Sequence, residues 1–93
     1  MRPGAPRQIQ TVSFEIEFKP KAVKDLESLP LADARRVLSK VQALRGGLTG
    51  DIKRLTRFTP EYRLRVGNYR VLFELEIAKV MVYRVLHRKD AYR

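Results

Sequence analysis

Cysteine is absent from this 93-residue chain, histidine occurs once, and acidic residues number ten against twenty lysines and arginines. Without thiols there is neither a disulfide nor a thiolate metal site, and a reducing compartment is the natural home. A single histidine, His87, and no cluster of carboxylates at ligand spacing argue against a zinc centre or a two-metal nuclease. Glu74 and Glu76 stand one strand repeat apart, but among many arginines they make a poor metal pair. Ser13, Ser28 and Ser39 lack triad partners, and the one glycine-rich stretch, Gly46-Gly47-Leu48-Thr49-Gly50, has no P-loop lysine. No cofactor is expected. No apolar run approaches the roughly 20 residues of a membrane span, and residues 1–11 lack the apolar stretch of a secretory leader. The expectation is a cytoplasmic protein with no membrane partner.

What is there is positive charge. The formal net charge is +10 and the isoelectric point about 10.5, a balance that favours a polyanionic partner such as nucleic acid or an acidic protein segment. Apolar residues at 44% and charged residues at 32% suit one folded domain with a small core. Pro3, Gly4 and Pro6 mark residues 1–11 as a flexible N-terminal tail, leaving 12–93 as a single domain.

Val12, Phe14, Ile16 and Phe18 alternate with polar residues, the pattern of a half-buried strand, and Pro20 ends it. Ala22, Val23, Leu26 and Leu29 then recur at helical spacing until Pro30, and Ala34, Val37, Leu38, Val41 and Leu44 continue a second helix to Gly46-Gly47. The short connection predicts a helical hairpin. After Asp51 the signal is all strand: a short stretch around Ile52–Leu55, then Tyr62–Val66, Tyr69–Glu76 and Lys79–His87. The fold class is α+β, an N-terminal strand, a helical hairpin and a three-strand antiparallel meander, with the helices on one face of one small sheet.

Gly67-Asn68 suits a two-residue type II′ turn, which pairs Val66 with Tyr69, Arg65 with Arg70 and Leu64 with Val71. Arg63, Arg65 and Arg70 then share the face opposite the core. Like charges directly opposite one another are destabilising, so the arrangement calls for a reason. One pair would pass as long side chains splayed into solvent. Three arginines beside Lys53, Arg54 and Arg57, with only Asp51 and Glu61 nearby, point instead to an anion site, since guanidinium forks bind phosphate and stay charged. In the last strand neither face is uniformly polar, which leaves a bulge or a doubly covered strand open. His87, Arg88, Lys89 and Tyr92 leave that strand together, offering phosphate contacts, a group titrating near neutrality and a ring for stacking on a base. Metal-free RNA cleavage survives the exclusions, because RNA carries its own nucleophile in the 2′-hydroxyl and arginines stabilise the charge that develops.

The runs GDIKRLT, PEYRLRVGNYRVLFELE and VYRVLHRKDAY together resemble the RelE side of the RelE/ParE superfamily of bacterial and archaeal toxin–antitoxin toxins, over residues 14–92. The resemblance implies a RelE-like domain that enters the ribosomal A site and cuts mRNA, leaving a 2′,3′-cyclic phosphate and a 5′-hydroxyl. It implies a cognate antitoxin with an acidic or amphipathic segment, and a larger toxin–antitoxin complex on operator DNA held through that antitoxin. Carried onto this chain, the basic pair before the turn is Arg63 and Arg65, Arg70 stabilises the transition state, Arg88 protonates the leaving 5′-oxygen, and Tyr92 stacks on a base. Lys53, Arg54, Arg57 and Lys89 join Arg63 as RNA contacts. The chain departs from the best-characterised pattern by carrying Arg65 where a lysine general base is expected. Either His87 takes the proton or electrostatics activates the 2′-hydroxyl. Two other classes remain: a ParE-like protein that blocks DNA gyrase by binding, and a nucleic-acid-binding domain without activity.

Overall fold

The computed structural model describes residues 13–57 and 59–91. The expected tail over 1–11 and the stacking residue Tyr92 lie outside them. Strand β1 (Glu15–Phe18) leads into helix α1 (Pro20–Glu27) and helix α2 (Leu31–Gln42), which tightens into a single 3₁₀ turn over Ala43–Gly46. Strands β2 (Asp51–Arg54), β3 (Tyr62–Val66), β4 (Tyr69–Glu76) and β5 (Lys79–His87) complete the chain. Both helix starts follow from proline. Pro20 occupies the first turn of α1, where a missing N–H costs nothing, and Pro30 immediately precedes α2.

One five-stranded sheet runs β1-β5-β4-β3-β2. The stretch before Leu55 is a full strand, so the antiparallel meander has four strands rather than three, with β2 as its outer edge. β1 returns beside β5 in parallel, Ile16 against Val80 and Phe18 against Val82. Among the described residues no helix is long and apolar enough to cross a membrane.

The core lies between the helices and one face of the sheet. Val37, Val41, Leu44, Leu64, Val71, Phe73, Val80 and Val82 are the residues that fill it, all essentially inaccessible. Each such side chain contributes about 1.5–3 kcal/mol on burial. Two glycines are required by geometry. Gly67 takes φ +57° while Asn68 does not turn left-handed, the signature expected of a type II′ turn. Gly50, at φ +104°, also packs so that an added Cβ would lie 3.1 Å from Leu64 Cδ1.

The ambiguity of the last strand resolves as a bulge. Leu72 pairs with Arg84 and Phe73 with Val82, leaving Tyr83 as the extra residue. The slip keeps Val80 and Val82 on the core face and then returns Val85 to it. Beyond the end of β1, Lys19 donates its N–H to the Val82 carbonyl at 2.8 Å. Asp25 of α1 then accepts the N–H of Val85 at 2.8 Å. A helix side chain thus closes an edge that would otherwise be open for pairing.

Candidate functional site

The observed hairpin register is the expected one: Arg65 faces Arg70, Arg63 faces Leu72 and Val66 faces Tyr69. Following the pairs across the sheet gives two rows on the face away from the helices, Asp51–Arg65–Arg70–Leu86 and Lys53–Arg63–Leu72–Arg84. Arg65 and Arg70 form the pair next to the one that closes the turn, where Cα atoms approach to about 4.5 Å.

Each guanidinium has a distinct setting. Arg70 folds back on its own turn, with Nη1 donating to the carbonyls of Gly67 and Tyr69, both at 3.0 Å. Arg65 is more than half exposed and reaches Asp51 only at 3.9 Å. Arg63 lies 3.6 Å from the same carboxylate with its side chain only 13% exposed, and its Nε is buried with no hydrogen-bond partner among the described residues. Leaving such a donor unpaired costs about 1–3 kcal/mol. Within these two rows Asp51 is the one carboxylate beside Arg63, Arg65, Arg70 and Lys53, so this part of the face carries excess positive charge.

The C-terminal residues divide. Arg88 is exposed, and its backbone N–H donates to the Asn68 carbonyl at 2.7 Å, which places it beside the hairpin turn and the Arg65–Arg70 pair. His87 pairs with Tyr69 and meets its ring edge-on at a centroid distance of 5.7 Å. That register places it on the helix side of the sheet, across from the arginines. Its Nδ1 accepts the Lys89 N–H at 3.2 Å, and Lys89 itself is exposed. Of the remaining basic residues, Arg54 takes the helix side by strand alternation and pairs with Glu61, both Nε and Nη2 reaching one carboxylate oxygen. That contact raises the Arg54 pKa further. Arg57 is exposed in the β2–β3 loop at φ +82°, a conformation rare for an arginine. The structure therefore brings Lys53, Arg63, Arg65, Arg70 and Arg88 to one face, and sets His87 and Arg54 on the other. Among the described residues, no group of three His, Cys, Asp or Glu side chains stands together.

Two features had no signal in the sequence. Arg84 is gripped by Asp25, with Nε and Nη2 donating at 2.8 and 3.0 Å, a contact that raises the arginine's pKa; the two residues are 59 positions apart. On the helix side, the Tyr69 hydroxyl donates to Asp33 at 3.0 Å, and Asp33 also holds Arg36 at 2.7 Å, tying α2 to the base of the hairpin turn. The hydrogen bond to Asp33 raises the Tyr69 pKa above its ordinary 10.0. A raised pKa means the protonated phenol is favoured by folding. Stability should hold at pH values below about 10 and fall as the pH rises through the folded-state pKa. Urea unfolding at pH 9 and pH 11 should show that loss in the wild type and a smaller one in Tyr69→Phe.

The family model of the ParE toxin of type II toxin–antitoxin systems matches residues 16–92. The chain is a toxin of that RelE/ParE superfamily. The toxin is 32% identical over 84 residues to Toxin RelE3 of Methanocaldococcus jannaschii, covering 85% of this chain and 96% of the relative. Among solved structures it superposes on the RelB–RelE antitoxin–toxin complex from Methanococcus jannaschii with TM-score 0.69 and 32% identity, over 82% of this chain and 94% of the other. The toxin–antitoxin complex RelBE2 from Mycobacterium tuberculosis matches with TM-score 0.72 and 27% identity, over 83% of this chain and all of the other. The two helices and five-stranded sheet are the α+β fold of those toxins.

Proposed function

We propose that the toxin is a metal-independent endoribonuclease that cuts mRNA in the ribosomal A site and is neutralised by a cognate antitoxin. The observation that carries the reading is the arginine row. Arg65 opposite Arg70, with Arg63 and Lys53 beside them and Arg88 at the turn, costs stability in the free protein and suits a phosphodiester whose charge rises during reaction. Arg70, steadied by two carbonyls of its own turn, is the transition-state contact. Arg63, Arg65 and Lys53 position the strand, and Arg88 supplies the proton to the 5′-oxygen. With His87 across the sheet, the positive field eases ionisation of the 2′-hydroxyl, whose proton passes to solvent water rather than to the imidazole as the 2′-oxygen bonds phosphorus and the 5′-oxygen leaves. His87→Gln should therefore keep cleavage within about threefold of wild type across pH 6–8, measured by single-turnover assays on programmed ribosomes; a loss of tenfold or more would make the imidazole the base.

The related structures are complexes of a toxin with its antitoxin, which supports an antitoxin for this chain. A short acidic, amphipathic segment is the expected ligand for a surface of this charge. Operator DNA would then be contacted through the antitoxin.

The ParE family match favours a second reading, in which the toxin binds DNA gyrase and cuts nothing. Expression in cells followed by primer extension separates the two. Cuts inside translated codons support the ribonuclease, whereas DNA-damage signalling with intact mRNA supports gyrase.

A further inference from the structure

The arginine face is not polar throughout. Next to the row lies a cavity of about 490 Å³, floored by Leu72 and Leu86, flanked by Leu55, Thr59 and Pro60 of the β2–β3 loop, closed by Asp90 and Ala91 of the C-terminal turn, and bordered by Arg84. Leu72 is 7% exposed and Ala91 6%, so this is a second apolar nucleus on the side of the sheet away from the main core. Its volume lies within the range of about 300–1,000 Å³ of ligand pockets, and its lining sets leucines beside the polar side chains of Thr59, Arg84 and Asp90.

Its position names the occupant. Leu86 is the strand partner of Arg70, and Leu72 sits between Arg63 and Arg84. The floor residues thus stand on strands whose backbones lie one spacing, about 4.8 Å, from those that carry Arg63 and Arg70. Arg84 is also built to read rather than to bind loosely. Asp25 takes its Nε and Nη2, fixing the plane of the guanidinium and leaving Nη1 without a hydrogen bond among the described residues.

We infer that this cavity receives one nucleobase of the mRNA, unstacked from its neighbours, while the adjoining phosphate rests on Arg70 and Arg63. This rests on the ribonuclease reading and adds a specificity subsite to it. Leu72, Leu86 and Leu55 supply the apolar surface that covers the base faces, and the Nη1 donors of Arg84 meet acceptors on its edge. Base reading by splayed, individually pocketed nucleotides is the usual route to sequence preference in single-stranded RNA.

The test uses the full chain on ribosomes programmed with synthetic mRNAs whose A-site codon carries an abasic nucleotide at each position in turn. In single-turnover assays the wild type should lose on the order of tenfold in rate at one position. Leu86→Trp, which fills the cavity, should lose a similar factor on the intact codon and nothing further on the abasic one. Leu55→Trp fills it from the loop and serves if Leu86→Trp fails to fold, with antitoxin binding as the check on folding. A flat abasic scan, or losses from the variant and the abasic site that multiply independently, overturns the inference while leaving the ribonuclease intact. Unchanged cleavage with weakened antitoxin binding in Leu86→Trp would assign the cavity to the partner and also overturns it. If the wild type cuts no programmed mRNA, the ribonuclease reading fails and the subsite with it.

Discussion

Arg70→Ala is expected to slow A-site mRNA cleavage by about 10²–10³-fold in a protein that still folds and still binds its antitoxin. The size follows from where the charge sits. Arg70 lies next to the turn opposite Arg65, and its Nη1 is held by the Gly67 and Tyr69 carbonyls, so little reorganisation is needed as the phosphate gains charge. Donors fixed in advance at developing charge are worth more than their ground-state contacts suggest. Stability should barely move, because two losses and one gain oppose each other. The turn loses hydrogen bonds to two carbonyls, each worth about 0.5–1.5 kcal/mol net when well formed and less at an exposed turn. In return the repulsion between Arg65 and Arg70, a few tenths to about 1 kcal/mol, disappears. Arg70→Lys keeps the charge without the fork and should recover only part of the rate. A drop of less than about threefold for Arg70→Ala would remove this residue from the transition state.

Asp25→Ala carries the largest expected cost in stability, about 2–3 kcal/mol. Its side chain is 15% exposed and accepts three bonds, two from Arg84 and one from the Val85 backbone. Removing it leaves an arginine without its partner and opens the edge of β5 beyond the end of β1. Arg84 is itself 37% exposed, so water recovers part of the loss, which holds the figure below that of a fully buried pair. For a domain of this size the melting temperature should fall by roughly 10–20 °C. Asp25→Asn retains an acceptor for Val85 and should cost about half as much. Equal melting temperatures for all three proteins would show that the contact contributes nothing to the fold.

How much of this was legible in the chain depended on whether neighbours in sequence sufficed. The hairpin was readable because a two-residue turn leaves one register, and strict alternation then sets Arg63, Arg65 and Arg70 on one face. Helix limits were readable because Pro20, Pro30 and Gly46-Gly47 act locally. The bulge at Tyr83 was not, since it depends on how β5 must slip to satisfy both β4 and the core. For the same reason the side taken by His87 stayed open until Tyr69 was seen opposite it. Asp25 and Arg84 meet only because α1 crosses the open edge of β5, and no spacing rule links them. The cavity is assembled from a loop, a terminal turn and the outer leucines of two strands, each of which reads as ordinary on its own.

The central claim is that the toxin directs the RNA's own 2′-hydroxyl at the phosphate while the arginine row stabilises the charge. The most direct measurement replaces the scissile nucleotide of an A-site codon by its 2′-deoxy form on programmed ribosomes and follows cleavage by the wild type. Cleavage should vanish with the deoxy substitution, and the intact codon should yield a 2′,3′-cyclic phosphate and a 5′-hydroxyl. Continued cutting of the deoxy-substituted mRNA would contradict the account.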